Sequence, residues 1–204
     1  MKLVVQPLKE GQSDHEYSVK KDKSLTLVLT AIDTKKIDAS VVVRLSGSGA
    51  SATIIGFVVG SKHADIKINT LQKHEAPDTT SNLLIKSALS GEARCVIDGG
   101  IRVEKKAQKT DAYQRNENLL LSATAYAESK PSLEILANDV RCTHGATVGP
   151  ISQEEVWYLA TRGISEETAQ GLIVEGFFRS ALDLVSDERV RSGILKSVWE
   201  HLPK

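Results

Sequence analysis

The sequence predicts a mainly β body followed by a C-terminal α-helical region, and three observations carry that reading. From Leu25 to Val103, short apolar runs recur between breaks of Gly, Ser, Asn and Asp. The 204 residues include one Met and only nine aromatic side chains (2 Trp, 4 Tyr, 3 Phe), so Val, Ile, Leu and Ala must build the core. Small, branched side chains suit stacked sheet better than a helical bundle. After Gly149-Pro150 the pattern changes to helix caps and helical spacing.

Leu25–Ile32 reads as extended, as do Ala39–Leu45 and Ala52–Val59. Ala64–Leu71 alternates apolar and polar residues strictly, the mark of a half-buried strand. Leu83–Leu89 and Ala93–Ile97 continue the series, and Ile101–Val103 follows Gly99-Gly100 as a further strand. His74-Glu75 before Ala76-Pro77 reads as a loop. Strand pattern alone fits a sandwich, a barrel or a β-solenoid, and no fixed-period repeat selects the last.

In the C-terminal region Ser152 and Glu155 have capping-box spacing. Val156, Leu159 and Ala160 follow at helical spacing, with Gly163 as the residue that ends the helix. Ser165 caps a second helix whose first turn carries Glu166 and Glu167. A third helix is predicted from about Asp187 to His201, with Val190, Ile194, Val198 and Leu202 as its apolar stripe. The predicted division is 1–150 for the β body and 151–204 for the helices, with the boundary near Pro150.

Lys plus Arg and Asp plus Glu each total 26, so the formal net charge is zero and nothing argues for a nucleic-acid partner. The clusters Lys20, Lys21, Lys23 and Lys105, Lys106, Lys109 read as solvated turns or edges. No stretch reaches the ~20 apolar residues of a membrane span, and the apolar part of the first residues is too short for a signal peptide. Two distant cysteines do not make a disulfide framework, which points to a reducing compartment.

Those cysteines differ in setting. Cys95 lies in an apolar run and reads as core. Cys142 precedes His144 by two residues in an extended segment, where side chains at i and i+2 share a face. Val140 joins that face, while Asp139, Arg141 and Thr143 take the other. A thiol beside an imidazole suits iron, sulfide or zinc, but two donors do not close a site, so a second chain would have to supply the rest. The competing reading makes His144 a hydrogen-bonded structural histidine and Cys142 a small hydrophobe. Gly145 and Gly149 read as turn glycines. His63, His74 and His201 have no companions at ligand spacing. The chain lacks Gly-x-x-x-x-Gly-Lys-Ser/Thr, so it is not expected to bind nucleotide itself.

Four blocks resemble the SufB/SufD scaffold proteins of iron–sulfur cluster assembly: Ala107 to Ser122, Lys130 to Ala137, Asp139 to Gly149, and Glu155 to Ile164. Their order and spacing hold over roughly residues 91–185. Cys142-Thr143-His144-Gly145-Ala146-Thr147 is similar to the SufD form, and Ala125 stands where SufB carries a functional cysteine. The chain is shorter than usual for the family, resembling a short form or a core-plus-C-terminus fragment.

The resemblance implies a right-handed parallel β-helix for the body and a scaffold role rather than an enzymatic one. It implies pairing through the β-helix core, here Leu133–Val148, with a SufB-like paralogue or with itself. It also implies docking of a SufC-like ABC ATPase on the C-terminal helices, for which Leu172, Ile173, Phe177, Phe178 and Leu182 are the candidate anchors, some of them needed instead to pack on the body. Trp157 and Tyr158 either pack on the body or join that contact. His144 is the core-interface residue expected to hold iron or a transient iron–sulfur cluster shared with the partner chain, with Cys142 as its companion. The expected location is the cytoplasm or an organelle stroma. The alternative is a purely structural partner that positions the ATPase and never touches metal; a zinc or iron enzyme is disfavoured because no third ligand accompanies the pair.

Overall fold

Strand follows strand along the chain, and most alternate inward and outward side chains as half-buried strands do. The computed structural model describes residues 2–202. In chain order its strands are β1 (Lys2–Pro7), β2 (Gly11–Val19), β3 (Ser24–Ile32), β4 (Lys36–Leu45), β5 (Ser51–Gly60), β6 (Asp65–His74), β7 (Thr80–Leu89), β8 (Arg94–Val103), β9 (Thr110–Leu120), β10 (Tyr126–Ile135) and β11 (Val140–Pro150). Helices α1 (Gln153–Thr161), α2 (Glu166–Leu182) and α3 (Glu188–His201) follow.

Odd-numbered strands form one sheet, in the order β1-β3-β5-β7-β9-β11, and even-numbered strands a second, β10-β8-β6-β4-β2. Every pairing is parallel and in register. The chain therefore winds as a β-solenoid of about 5 turns, crossing from one sheet to the other at each corner.

The corners are stacked turns built on left-handed residues. Asp22, Gly49, Asp78 and Lys109 have φ between 55° and 70° and lie one above another. Each amide donates to the next turn: Asp22 to Ser48 O (3.0 Å), Gly49 to Pro77 O (3.3 Å), Asp78 to Gln108 O (2.9 Å) and Lys109 to Asp139 O (2.6 Å). Asp and Gly tolerate this conformation best, which is why such residues punctuate the sequence. Asp33, Lys62 and Gly91 repeat the device at the opposite corner.

Between the sheets lies an aliphatic core that includes Leu27, Val43, Ile54, Ile66, Leu83 and Ile97. Sheet strands β5 and β7 are apolar on both faces because α2 and α3 cover the first sheet from outside. Phe178 of α2 meets Phe57 of β5 at 6.0 Å between ring centroids, within a cluster that also holds Val174, Leu182, Ile194 and Val198.

Ser152 and Ser165 cap their helices as predicted, and Asp187, near which the third helix was expected to begin, is the cap of α3. Ser152 Oγ accepts from Glu155 N (3.2 Å), Ser165 Oγ from Thr168 N (3.3 Å) and Asp187 Oδ1 from Arg189 N (2.9 Å). Gly163, at φ 83°, follows the end of α1.

Four details differ from the expectation. Two further strands, the mixed β1 and the polar β2, precede Leu25, since a first coil need bury only one side of its interior residues. Strand β8 runs unbroken through Gly99-Gly100: a Cβ at Gly99 would collide with the Gln114 amide, which reaches across the interior and donates to Gly99 O (3.1 Å). His74 is not in a loop but fully buried at the end of β6, between the hydroxyls of Thr79 and Ser81 at 2.8 Å each. Gly145 and Gly149 lie inside β11 without positive φ, and no atom lies closer than 3.8 Å to where a Cβ would stand.

Candidate functional site

In parallel, in-register sheets, side chains on one face stack in columns from strand to strand. Along β9, Thr110, Ala112, Gln114 and Asn116 point inward and are buried. Their partners on β11 are Val140, Cys142, His144 and Ala146, so the Cys142–His144 face is the solenoid's interior face. No further strand pairs beyond β11 or β10 among the described residues, so this interior face lies open to solvent at one end.

Position along that end decides the fate of each donor. Val140 and Cys142 sit near the closing corner and pack on Ile101, Val103 and Ala112. His144 stands farther along, over the buried Gln114, and is exposed. Its imidazole takes part in none of the hydrogen bonds of the described residues.

Burial pushes the Cys142 thiol above its ordinary value, the Asp111 carboxylate adds to this, and a backbone hydrogen bond to Ala112 works against it. At neutral pH the sulfur is a thiol, and metal would have to displace its proton. Asp111 is engaged by Arg141, whose Nε donates to Oδ1 at 3.2 Å, and this contact holds the carboxyl below its usual range. Among the described residues no three His, Cys, Asp or Glu side chains gather closely enough to hold a metal ion. The donors gathered here are one exposed imidazole and one partly buried thiol, fewer than a closed metal site needs.

An apolar rim surrounds these donors. Leu133, Ile135, Leu136 and Val148 are 38–48% exposed at the same end. Strands β10 and β11 are sheet edges with unpaired backbone groups along one side. Pro131 lies within β10, a placement suited to an edge strand.

The predicted docking anchors divide. Phe178 and Leu182 are buried against the first sheet and Phe177 packs beside them, so these three hold α2 on the body instead of facing outward. Leu172 is 41% exposed and Ile173 half-buried. The exposed face belongs to α1, where Trp157 is 70% and Tyr158 55% exposed, neither packing on the body. Between α1 and α2 lies a notch of about 390 Å³ lined by Glu154, Glu155, Tyr158, Leu159 and Ile173. Helical spacing could not separate the two faces of α2, because apolar residues stand on both.

Cys95 is fully buried, and burial pushes its thiol up to about 12, which makes it inert. His63 is exposed beside Glu92 (3.2 Å), and His201 pairs with Asp33 (3.3 Å).

A family model described as SUF system FeS cluster assembly, SufBD core domain, matches residues 12–177. The chain is 34% identical over 160 residues to the iron–sulfur cluster assembly protein SufD of Escherichia coli, covering 78% of this chain and 38% of that protein. It is 31% identical over 198 residues to an iron–sulfur cluster assembly SufBD family protein of Mycobacterium leprae, covering 93% of this chain and 50% of the relative. It is also 36% identical over 102 residues, half of this chain and 21% of the relative, to the chloroplastic protein ABCI7 of Arabidopsis thaliana. The chain thus spans half or less of the length of these relatives.

Proposed function

This chain belongs to the SufBD family of iron–sulfur cluster assembly proteins, and on that premise we propose that it is a SufD-like scaffold subunit and not an enzyme in its own right. It pairs through the open end of its solenoid, β10 and β11, with a SufB-like paralogue or a second copy of itself. It docks a SufC-type ABC ATPase through α1 and the adjoining face of α2, with Trp157, Tyr158, Leu172 and Ile173 as anchors. His144 offers its imidazole to iron or a nascent cluster at the pairing surface, with Cys142 as a second donor. The compartment is the cytoplasm or an organelle stroma.

One observation supports this reading: an exposed imidazole shares a face with a thiol on an apolar, edge-bearing surface with no third donor gathered there among the described residues. Anaerobic reconstitution with iron and sulfide, alone and with a SufB-like chain, followed by optical spectroscopy, tests it. The expected result is iron–sulfur absorption from the mixture that weakens when His144 is removed. Absorption independent of His144 overturns the ligand role.

A second reading keeps the pairing and the docking but not the metal. The protonated, partly packed Cys142 and the missing third donor favour it. Under that reading the mixture assembles fully and His144 is dispensable.

A further inference from the structure

Lys86 and Glu117 are charged residues on the outer face of the first sheet, on β7 and β9, yet they are only 5% and 7% exposed. Helix α2 covers them. Lys86 Nζ stands 2.6 Å from Glu117 Oε2, donates to the backbone carbonyl of Phe177 at 2.7 Å, and lies 4.4 Å from the Phe177 ring centroid. Glu117 also receives Arg115, whose outer end stays in water.

The cluster that otherwise joins α2 to this sheet is apolar. The Lys86–Phe177 bond is the one hydrogen bond joining them among the described residues. Apolar contacts are non-directional, so an aliphatic layer tolerates a small slide of helix over sheet. An ammonium shared between a helix carbonyl and a strand carboxylate does not, because sliding leaves a buried charge unpaired.

We propose that Lys86, held by Glu117, is a positioning residue that pins α2 in one register on the first sheet, so that displacement of the helical layer by a docked partner reaches β11 instead of being absorbed by sliding. The path is short. Glu117 is the register partner of Thr147 on β11, and Asn118 Nδ2 donates to Thr147 O at 3.0 Å, three residues from His144. The pin follows from the contacts alone; its role in transmission rests on the reading of the helices as the docking side.

The variant Lys86→Met/Glu117→Leu removes both charges and keeps apolar volume under the helix. In the chain alone, spin labels at positions 179 and 113 in a Cys142→Ser background read the register. The parent gives one narrow distance distribution, and the double variant a broadened or displaced one. An unchanged distribution overturns the pin.

With a SufC-type ATPase bound, amide exchange over residues 140–150 is compared with and without ATP. The parent changes severalfold on adding nucleotide, whereas the double variant binds the ATPase equally but loses most of that change. An undiminished response with a displaced register overturns the transmission role. Failure of the parent to bind the ATPase sinks the docking reading instead, and the spin-label result still decides the pin. Glu117→Gln, which keeps shape and a hydrogen bond, gives an intermediate effect and serves if the double variant does not fold.

Discussion

Trp199 of α3 lies against Gly171 of α2, where any Cβ would collide with its indole, and its Nε1 donates to Glu175 Oε2 at 2.9 Å. Glycine here lets two helices close on each other. In an exposed helix Gly→Ala gains ~1 kcal/mol from propensity alone. At Gly171 the clash opposes that gain, and because the indole must also give up Glu175, overpacking of ~1–3 kcal/mol outweighs it. Gly171→Ala is expected to lower the melting temperature by a few degrees. In a Trp199→Ala background the same change should raise it, and a double-mutant cycle measures the reversal.

His74 makes the fold acid-sensitive. Burial lowers its pKa from the ordinary 6.5 to about 4. The folded state binds the proton less readily than the unfolded chain, so the contribution is complete above pH 6.5 and is lost as pH falls towards 4. Between pH 7 and 4.5 this site should cost about 2–3 kcal/mol of unfolding free energy. Denaturant titrations of His74→Leu should lack that part of the pH dependence.

The two faces of α2 and α1 predict opposite phenotypes. Phe178→Ala empties a buried site against Phe57 and should destabilise by ~3–5 kcal/mol. Trp157→Ala should leave stability within ~0.5 kcal/mol. It should nevertheless weaken ATPase binding by ~2 kcal/mol, about thirtyfold, by calorimetry. Undiminished binding by the Trp157 variant would remove α1 from the docking surface.

His144→Ala should shift the melting temperature by no more than a few degrees, a change of ~1 kcal/mol or less, because the ring is exposed and leaves no cavity. Cluster assembly in cells lacking the native scaffold should fall sharply. Cys142→Ala should have the milder effect if the thiol only packs. Normal assembly by the His144 variant would reduce the chain to a spacer.

Paired substitutions Leu133→Asp and Val148→Asp place charges on the open rim and on the edges beside it. A chain that dimerises at micromolar concentration should become monomeric by light scattering, with its melting temperature little changed, since both positions are already exposed.

The first two helix starts were legible residue by residue, because a cap is a local device: Ser152 and Ser165 each announce one, while α3 was placed by its apolar stripe and its cap, Asp187, emerged with the fold. The solenoid was legible only through resemblance. Register partners Ser24, Ser51, Thr80 and Asp111 are 27, 29 and 31 residues apart, and a repeat that drifts in this way defeats a search at fixed period. Cys142 and His144 could be placed on one face from alternation. That this face is the interior, shut at Cys142 and open at His144, depends on where the stack ends, which no local pattern encodes. His74 was missed because its partners Thr79 and Ser81 lie past a turn. Lys86 and Glu117 drew no notice in the sequence because the helix that covers them lies far along the chain, with Phe177 91 positions from Lys86.

The ladder of left-handed corners has an evolutionary corollary. Each coil touches only the coils beside it, and its turns are closed by backbone bonds that hold whatever side chains the strands carry. Whole coils can therefore be gained or lost at the β1–β2 end while the open rim at β10 and β11 stays as it is. The reach of such a protein and the chemistry at its tip are free to change separately, like a handle and its blade.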